Sequence, residues 1–519
     1  MTENYGKIMK WQVNSQCGEQ ELQGINIISV ELNGKVEKAE AVLSIAPSEK
    51  MFFNGYQTWT WCPEYTRNDW IRGLKYTPKK GIEHFGLDRY GDYHFIEYSA
   101  QRGKFHGFSY CYFRDGDHYK LFGSLDEYPG YTVFYYDCAR EELKITRDAI
   151  GVTFDGEFKA FSFVYLEGSE EEVFDRWFQL MDVKPIRNEK LFGYSSWYNR
   201  YEDISIASIE EDLESCEGLL KPGDLFQIDD GWEPTVGDWL EPDPVKFPDG
   251  MKAICDKIHA KGYKSGLWLA PFVATERSTI WKEHQDWFLK HDGENWKDGA
   301  NWGGFYSLDL DNQEVMDYIE KCFDRVFNEW GFDLVKLDFL YARAPFPDEY
   351  RTRAAKMIDS MKWLRYLCRD KLILGCGVPL MPAFGLVDYC RIGCDVGLDW
   401  DDKAYMRIIH RERVSTKHAI DNTFFRRQLN HRAFLNDPDV FFLRTENIYL
   451  SETDKRYLAT MNGLFSGILL TSDNFSHYNE EQKKTLQEVR DLMDAEIISI
   501  EDNRIKFRTN GKTKLIKKV

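Results

Sequence analysis

The sequence lacks the features that mark membrane and secreted proteins. It has no apolar run that approaches the roughly 18 residues of a membrane-spanning helix, and its start, MTENYGKIMKWQVNSQ, has no apolar core of a signal peptide. Its 11 cysteines are odd in number and scattered without paired spacing. This is typical of reduced thiols rather than of a disulfide framework. The sequence therefore predicts a cytoplasmic protein.

Motifs for metal or nucleotide chemistry are also missing. None of the 11 histidines stands in a His-x-His or His-Glu-x-x-His arrangement, which zinc hydrolases use, and neither Gly-x-Gly-x-x-Gly nor a P-loop is present. A net charge of -19 would repel nucleic acids and anionic membranes. We therefore expect no metal, no cofactor, no nucleic-acid partner and no membrane partner. A small neutral substrate fits best, and the oligomeric state stays open.

Three regions follow one another along the 519 residues. Residues 1–175 contain short β-rich runs such as KAEAVLSIA and YTVFYYDC, which favour an N-terminal antiparallel β-sandwich. Residues 188–484 alternate eight short apolar runs with longer amphipathic stretches, which favours a (β/α)₈ barrel. Residues 485–519 contain an Asn-Gly turn between alternating strands, which indicates a small C-terminal β-domain. The predicted fold is a multidomain α/β protein with a central TIM barrel.

Carboxylates stand at the ends of four predicted barrel strands. They are Asp229 and Asp230 in QIDDGW, Asp338 in VKLDF, Asp395 in RIGCD and Asp473 in LLTSD. The active site of such a barrel lies at the carboxyl ends of its strands, so these acids are expected to converge on one rim. A single aspartate in this position can equally cap the following helix, and only the set is informative.

A pair of carboxyl groups suits the cleavage of glycosidic bonds. Two such groups flank the bond, and a retaining reaction needs them about 5–5.5 Å apart. Asp338 and Asp395 follow predicted strands four and six and can serve as nucleophile and acid/base. Lys336 lies on the same strand face as Asp338, and Arg391 precedes Asp395 by four residues. Their charges favour an ionised nucleophile, although a buried ion pair would also explain Lys-x-Asp.

Together these segments resemble glycoside hydrolase family 36, the α-galactosidases or melibiases, and most closely the compact bacterial type. The resemblance covers essentially the whole chain and implies an N-terminal β-supersandwich, a (β/α)₈ barrel and a C-terminal antiparallel β-domain. VKLDF resembles the family's nucleophile strand and RIGCD its acid/base strand. The resemblance thus implies these roles for Asp338 and Asp395, a substrate-binding Lys336, and an Arg391 that supports the nucleophile.

Other segments imply the sugar-binding residues. QIDDGW resembles the family's paired-aspartate strand, so Asp229 and Asp230 are expected to bind the 4-OH and 6-OH of galactose. Larger members carry a Cys-x-Gly-Gly-Gly loop where this chain has LGCGVPLMP. The 2-OH contact is expected from Cys376 or Gly377, and the departure bears on the choice between galactose and N-acetylgalactosamine. LNHRAFLNDPDVFFLR is also family-like, but no role is assigned to it. SSWYNR, LWLAPF and NGYQTW imply aromatic sugar-contacting walls formed by Trp197, Tyr198, Trp268 and Trp59.

The resemblance implies a retaining exo-α-galactosidase that removes terminal α-linked galactose from oligosaccharides such as melibiose or raffinose by double displacement. Two alternatives use the same carboxylate pair, namely an α-N-acetylgalactosaminidase and an α-galactosyl transferase of the raffinose-synthase kind. A third is a non-catalytic sugar-binding protein. The presence of both Asp338 and Asp395 argues against the third alternative.

Overall fold

Strands make up most of the regular secondary structure in the N-terminal part of the chain. The computed structural model describes residues 7–401, 410–501 and 503–518. Its first strands are β1 (Ile8–Val13), β2 (Gln16–Glu21), β3 (Ile25–Lys35), β4 (Ala39–Ser44), β5 (Lys50–Phe53), β6 (Glu64–Tyr65), β7 (Lys104–Phe108), β8 (Tyr110–Asp115), β9 (His118–Ser124), β10 (Tyr131–Asp137), β11 (Glu142–Asp148) and β12 (Thr153–Gly168). They form two six-stranded antiparallel sheets, with the orders β2-β1-β4-β11-β10-β7 and β3-β12-β9-β8-β5-β6.

Alternating burial explains how these two sheets pack. In β3 every second side chain from residue 26 to residue 32 is buried, because successive side chains of a strand point to opposite faces. Ile28 and Val30 of this strand share one apolar cluster with Met9 and Leu43 of the other sheet. The sheets therefore pack face to face, in agreement with the predicted antiparallel sandwich.

A parallel sheet forms the central part of the fold. The strands of this part are β13 (Leu191–Ser195), β14 (Leu225–Ile228), β15 (Lys264–Leu269), β16 (Val273–Thr275), β17 (Lys290–His291), β18 (Glu294–Asn295), β19 (Lys297–Gly299), β20 (Phe305–Ser307), β21 (Leu334–Leu337), β22 (Leu372–Gly375), β23 (Tyr389–Arg391), β24 (Leu435–Asp437), β25 (Val440–Phe441) and β26 (Ile468–Thr471). Nine of them form a sheet with the order β24-β23-β22-β21-β15-β14-β13-β26-β25. Its outermost strands, β24 and β25, are separated along the chain only by Pro438 and Asp439. The sheet therefore curls back on itself, as in a TIM-like domain.

The seventh apolar run of this region differs from its prediction. This run is VFFLR, which starts at Val440 and predicts one continuous strand. In the structure β24 pairs with β23 and β25 pairs with β26, so the strand begins earlier and is interrupted. Pro438 has no N–H to donate to a ladder, and Asp439 has a φ of 74°. The interruption places Asp437 and Asp439 at the carboxyl end of the sheet.

The α-helices precede, connect and flank these strands. They are α1 (Lys79–Phe85), α2 (Glu170–Met181), α3 (Trp197–Arg200), α4 (Ile206–Ser215), α5 (Gly250–Ala260), α6 (Thr279–Glu283), α7 (Gln313–Asp324), α8 (Arg353–Cys368), α9 (Leu380–Ala383), α10 (Thr416–Phe425), α11 (Glu452–Phe465) and α12 (Glu480–Arg490). Side chains that cap backbone N–H groups mark several helix starts, for example Ser169, Ser451 and Asn479. Within the described residues, no helix has the length and apolar character needed to cross a membrane.

Three smaller sheets complete the described fold, and one of them consists only of β17 and β18. After β15, an insertion forms a three-stranded sheet with the order β16-β20-β19. The C-terminal sheet contains β27 (Glu496–Glu501), β28 (Arg504–Thr509) and β29 (Lys512–Lys517). Asn510 and Gly511 join the last two strands with φ angles of 48° and 71°, which is the conformation that favours Asn-Gly in a two-residue hairpin. The predicted Asn-Gly turn is confirmed.

Candidate active site

A cavity of about 680 Å³ opens at the carboxyl ends of the parallel strands. Four predicted acids line it, namely Asp229, Asp230, Asp338 and Asp395. Four further predicted residues also line it, namely Lys336, Trp59, Trp197 and Trp268. The structure thus brings most of the predicted site residues into one cavity.

Helix capping does not account for these acids. The α-helices that follow β14, β21 and β23 include α5, α8 and α10, which begin after Asp249, Thr352 and Ser415. Asp473, the fifth predicted acid, lies outside the cavity lining. Its carboxylate accepts hydrogen bonds from the backbone N–H groups of Leu443 at 2.6 Å and of residue 444 at 2.9 Å. Asp473 therefore stabilises a loop, which corrects the expectation that it shares the rim.

Asp338 follows β21 and is held by two N–H donors. The indole N–H of Trp268 donates to Oδ2 at 3.2 Å, and the N–H of Phe339 donates to Oδ1 at 2.9 Å. Burial raises the pKa of Asp338 above its ordinary value, and the charge of Asp395 raises it further, while Lys336 opposes both. The effect of Asp395 on this pKa means that the two carboxyl groups interact electrostatically across the cavity.

Lys336 and Asp229 form a buried ion pair beside Asp338. The ammonium group donates to Asp229 Oδ2 at 2.9 Å, and the amide of Gln227 donates to the same oxygen at 2.7 Å. Burial alone would lower the pKa of Lys336, but the charges of Asp229 and Asp338 raise it above its ordinary value. The Lys-x-Asp motif therefore joins two strands, because the lysine of β21 pairs with the aspartate that follows β14.

Asp230 faces the insertion that follows β15. Its Oδ2 accepts a hydrogen bond of 2.8 Å from the indole N–H of Trp302. The ring of Trp302 lies 5.9 Å from that of Trp268 and 4.9 Å from that of Phe339, between ring centroids. Sequence reasoning missed Trp302, because the residue belongs to an insertion with no strand-end position.

Asp395 is attached to a buried charge network through Arg391. The guanidinium group donates to Asp395 Oδ1 at 2.8 Å and to Asp437 Oδ2 at 3.0 Å, and it lies 2.9 Å from Asp439 Oδ1. Burial raises the pKa of Asp439 to about 7. The Tyr198 hydroxyl donates to Asp439 Oδ2 at 2.6 Å. Arg391 thus has three carboxylate partners, and Asp395 is the most exposed of them, with 39% of its side chain accessible.

Three predicted site residues lie behind the cavity lining of the described chain. Tyr198 and Arg391 belong to the network under Asp395. Cys376 is buried and accepts a hydrogen bond of 3.3 Å from the indole N–H of Trp59, and burial raises its thiol pKa well above the usual range. The polar atoms of these residues bond to other protein groups, and the sugar contacts of Tyr198 and Cys376 stay predictions.

Segments outside the parallel sheet complete the wall. Phe85, Leu87 and Tyr90 come from the N-terminal part, and residues 410 and 412–414 come from the segment after β23. The Tyr90 hydroxyl donates to the Asn301 side chain at 2.6 Å, and its ring stacks on His410 at 5.5 Å. Phe85 is 53% exposed, whereas Trp268 is 2% exposed. The aromatic wall therefore runs from the floor to the mouth of the cavity.

The chain is similar to known α-galactosidases in sequence. Residues 193–354 match the family model described as melibiase. The α-galactosidase Mel36A of Lactobacillus acidophilus is 30% identical over 151 residues, which are 28% of this chain and 20% of that protein. α-Galactosidase 1 of Pediococcus pentosaceus is 26% identical over 157 residues, which are 29% of this chain and 21% of that protein. The aligned part therefore spans about a fifth of these relatives.

Solved structures extend the similarity to nearly the whole chain. The α-galactosidase TtGalA of Thermus thermophilus superposes with a TM-score of 0.78 and 26% identity, and the match covers 98% of both chains. The GH36 α-galactosidase AgaA of Geobacillus stearothermophilus shares the fold with a TM-score of 0.58 and 12% identity, over 96% of this chain and 71% of that one. Residues 193–354 thus match the melibiase model, and nearly the whole chain has the fold of known α-galactosidases, including one of glycoside hydrolase family 36.

Proposed function

We propose that the protein is a retaining exo-α-galactosidase that removes terminal α-linked galactose from small oligosaccharides. The observation that carries the proposal is the single cavity that contains Asp338 and Asp395 together with Asp229 and Asp230. The Thermus neighbour supports the substrate class, because its structures contain p-nitrophenyl α-D-galactopyranoside and stachyose. Melibiose and raffinose are substrates of the same class.

The proposed reaction has two displacements. Asp338 attacks the anomeric carbon while Asp395 gives its proton to the glycosidic oxygen, so that the alcohol leaves and a β-linked galactosyl ester forms on Asp338. Asp395 then takes a proton from water, and the water oxygen attacks the same carbon and frees Asp338. Two inversions return the sugar as the α-anomer. Neither step uses a metal or a cofactor.

The neighbours of the two acids suit these roles. Asp338 must be ionised to attack, and burial opposes this, so Lys336 and the Trp268 indole N–H contribute by stabilising the charged form. Asp395 has one oxygen on Arg391 and remains accessible from the cavity. Asp229 and Asp230 provide hydrogen-bond acceptors for the axial 4-OH and the 6-OH of galactose. Glucose has no axial 4-OH and would leave a desolvated carboxylate without a hydrogen-bond donor.

Replacing Trp268 with phenylalanine is expected to move the acidic limb of kcat/KM to higher pH. The variant loses the N–H donor to Asp338 Oδ2 at 3.2 Å but keeps an aromatic ring. Without that donor the ionised carboxylate is less stable, so the already raised pKa of Asp338 rises further. We expect a shift of roughly half to one pH unit, measured from the pH profile of kcat/KM with an aryl α-galactoside.

Trp239 offers a matched control for this measurement. Its ring lies 5.8 Å from that of Trp268, and its indole N–H has no hydrogen-bond partner among the described residues. The same change to phenylalanine at Trp239 should leave the acidic limb where it is. Identical shifts in both variants would contradict the role given to the Trp268 N–H group.

The proposed function is tested by turnover of three aryl α-glycosides, with galactose, glucose and N-acetylgalactosamine as the sugar. We expect turnover of the galactoside to exceed that of the other two by at least about a hundredfold, and proton NMR at early times to show the α-anomer first. Faster turnover of the N-acetylgalactosamine substrate would instead assign the protein as an α-N-acetylgalactosaminidase. A β-anomer formed first would contradict the double displacement.

Competition between water and an added sugar for the galactosyl group distinguishes a hydrolase from a transferase. Raffinose or sucrose is added at increasing concentration during turnover of the aryl galactoside, and free galactose is compared with galactosylated products. A hydrolase releases mainly galactose at all moderate acceptor concentrations. Product that is mostly galactosylated acceptor would instead assign the protein to the transferases.

The proposal also includes the domain boundaries of the chain and its location in the cell. The chain divides into a β-supersandwich at 1–175, a (β/α)₈ barrel at 188–484 and a C-terminal antiparallel β-domain at 485–519. The last boundary falls inside α12, so we place it after Arg490 and keep that helix with the barrel. A cytoplasmic location is supported by the cysteines, which are all free, with Cys17 exposed and the other ten buried.

A further inference from the structure

A second carboxyl group touches Asp230 and has no role in the proposed reaction. Glu233 follows Asp230 in the QIDDGWE segment after β14, and only 5% of the residue is exposed. The carboxyl groups of Asp230 and Glu233 are near enough for each to shift the pKa of the other. Ionised carboxylates can only accept hydrogen bonds. A hydrogen bond between these two carboxyl groups therefore requires a proton on one of them.

The groups around this pair do not supply enough positive charge to replace that proton. Lys246 is near Glu233, but its ammonium group donates to the carbonyl oxygens of Gly231 at 2.8 Å and Glu202 at 3.0 Å. The indole N–H of Trp302 donates to Asp230, as described above, and is neutral. Glu233 Oε2 is buried without a hydrogen-bond partner in the described chain.

The remaining charges near the pair point the same way. Asp229 adds negative charge beside Asp230, and its own partner is Lys336. Burial raises the pKa of both Asp230 and Glu233, and the charge of Glu233 raises that of Asp230 further. The backbone N–H groups of Gly231 and Glu233 favour the ionised form of Glu233. Two adjacent carboxylates in such a place bind one proton more tightly than either would alone.

We propose that Glu233 is a positioning residue that shares one proton with Asp230 and thereby sets the form in which Asp230 meets the hydroxyl groups of the sugar. Only the contact between Asp230 and sugar rests on the proposed function. With the proton shared, the pair carries one negative charge instead of two. The cavity then holds less negative charge near Asp338, which has to be ionised to react.

The test replaces Glu233 with glutamine, whose amide can donate to the Asp230 carboxylate but cannot titrate. In the wild type the folded state keeps a proton that the unfolded state releases, so stability falls as pH rises from about 4 to the raised pKa. The variant lacks most of this loss. We expect the Tm of E233Q minus that of the wild type to increase by roughly 2 °C or more between pH 5 and pH 8.

A matched control and a direct signal accompany this measurement. Glu214 is exposed on α4, and E214Q makes the same chemical change without a carboxyl partner, so its Tm should run parallel to that of the wild type at every pH. Infrared difference spectra of wild type minus E233Q near neutral pH should contain the C=O band of a protonated carboxylic acid. If the Tm of E233Q runs parallel to that of the wild type at every pH and this band is absent, the proposal of a shared proton is wrong.

The link to the sugar has its own readout. The ratio of wild-type to E233Q kcat/KM on an aryl α-galactoside should change by at least about threefold between pH 5 and pH 8, with KM carrying most of the change. A constant ratio together with a confirmed proton would overturn the positioning role.

If E233Q does not fold, the infrared band is followed through a pH titration of the wild type, with Asp230→Asn as the second variant. Failure of every galactoside assay would contradict the proposed function and leave the Tm and infrared results decisive for the proton.

Discussion

Replacing Asp338 with asparagine is expected to lower kcat on α-galactosides by at least about a thousandfold while the protein remains folded. A neutral amide cannot form the galactosyl ester. Its one carbonyl oxygen can keep the hydrogen bond from the Phe339 N–H, which is 2.9 Å long in the wild type, but the NH₂ group cannot accept the Trp268 N–H that bonds the other oxygen at 3.2 Å. The side chain has nearly the same size, so the cavity should keep its shape. The measurements are kcat with an aryl α-galactoside and Tm. More than a few per cent of wild-type activity would contradict the assignment of Asp338 as nucleophile.

Asp473 provides the matched control, because it also follows a strand of the parallel sheet. Its carboxylate accepts the backbone N–H groups described above and the Tyr478 hydroxyl at 2.7 Å. Asp473→Asn should therefore cost about 1–3 kcal/mol of folding free energy and leave kcat of the folded protein near that of the wild type. The two variants thus separate chemistry from stability with the same atomic change.

The positions of the acids could be predicted from sequence, because a local pattern determines them. A short apolar run that ends in a carboxylate, such as VKLDF, reads as a barrel strand whose last side chain faces the active-site rim. Lys336 lies on the same strand face as Asp338, so its position at the cavity could also be predicted. Its partner could not be predicted by that argument, since Asp229 follows β14, which is separated from β21 by β15, and the pairing depends on the order of strands in the sheet.

The remaining parts of the site have no local signal. Asp437 and Asp439 face Arg391 because the seventh strand breaks at Pro438, and an Asp-Pro-Asp sequence reads equally well as an ordinary turn. Trp302 reaches Asp230 from an insertion, and Phe85 reaches the cavity mouth from the N-terminal part. Such contacts depend on tertiary packing between distant segments. Periodicity and motif spacing carry information about one segment at a time.

Replacing Asp395 with alanine is expected to affect substrates according to their leaving groups. Melibiose and raffinose release a poor leaving group that needs a proton, so their kcat/KM should fall by roughly 10²–10⁴-fold. An activated aryl galactoside leaves without protonation and should lose at least about tenfold less in the first step. Asp395→Asn keeps a partner for Arg391, which lies 2.8 Å from Asp395 Oδ1, and should show the same split. Equal losses on both kinds of substrate would mean that Asp395 acts only through Arg391.

Azide distinguishes the two acids by the configuration of the product. In Asp338→Asn, azide replaces the missing nucleophile and attacks opposite the leaving group, so one inversion gives β-galactosyl azide. In Asp395→Ala, the ester on Asp338 still forms, and azide replaces the water that lacks its base, so two inversions give α-galactosyl azide. NMR of the azides from both variants therefore assigns each role independently of rate. The same anomer from both variants would contradict a division of labour between Asp338 and Asp395.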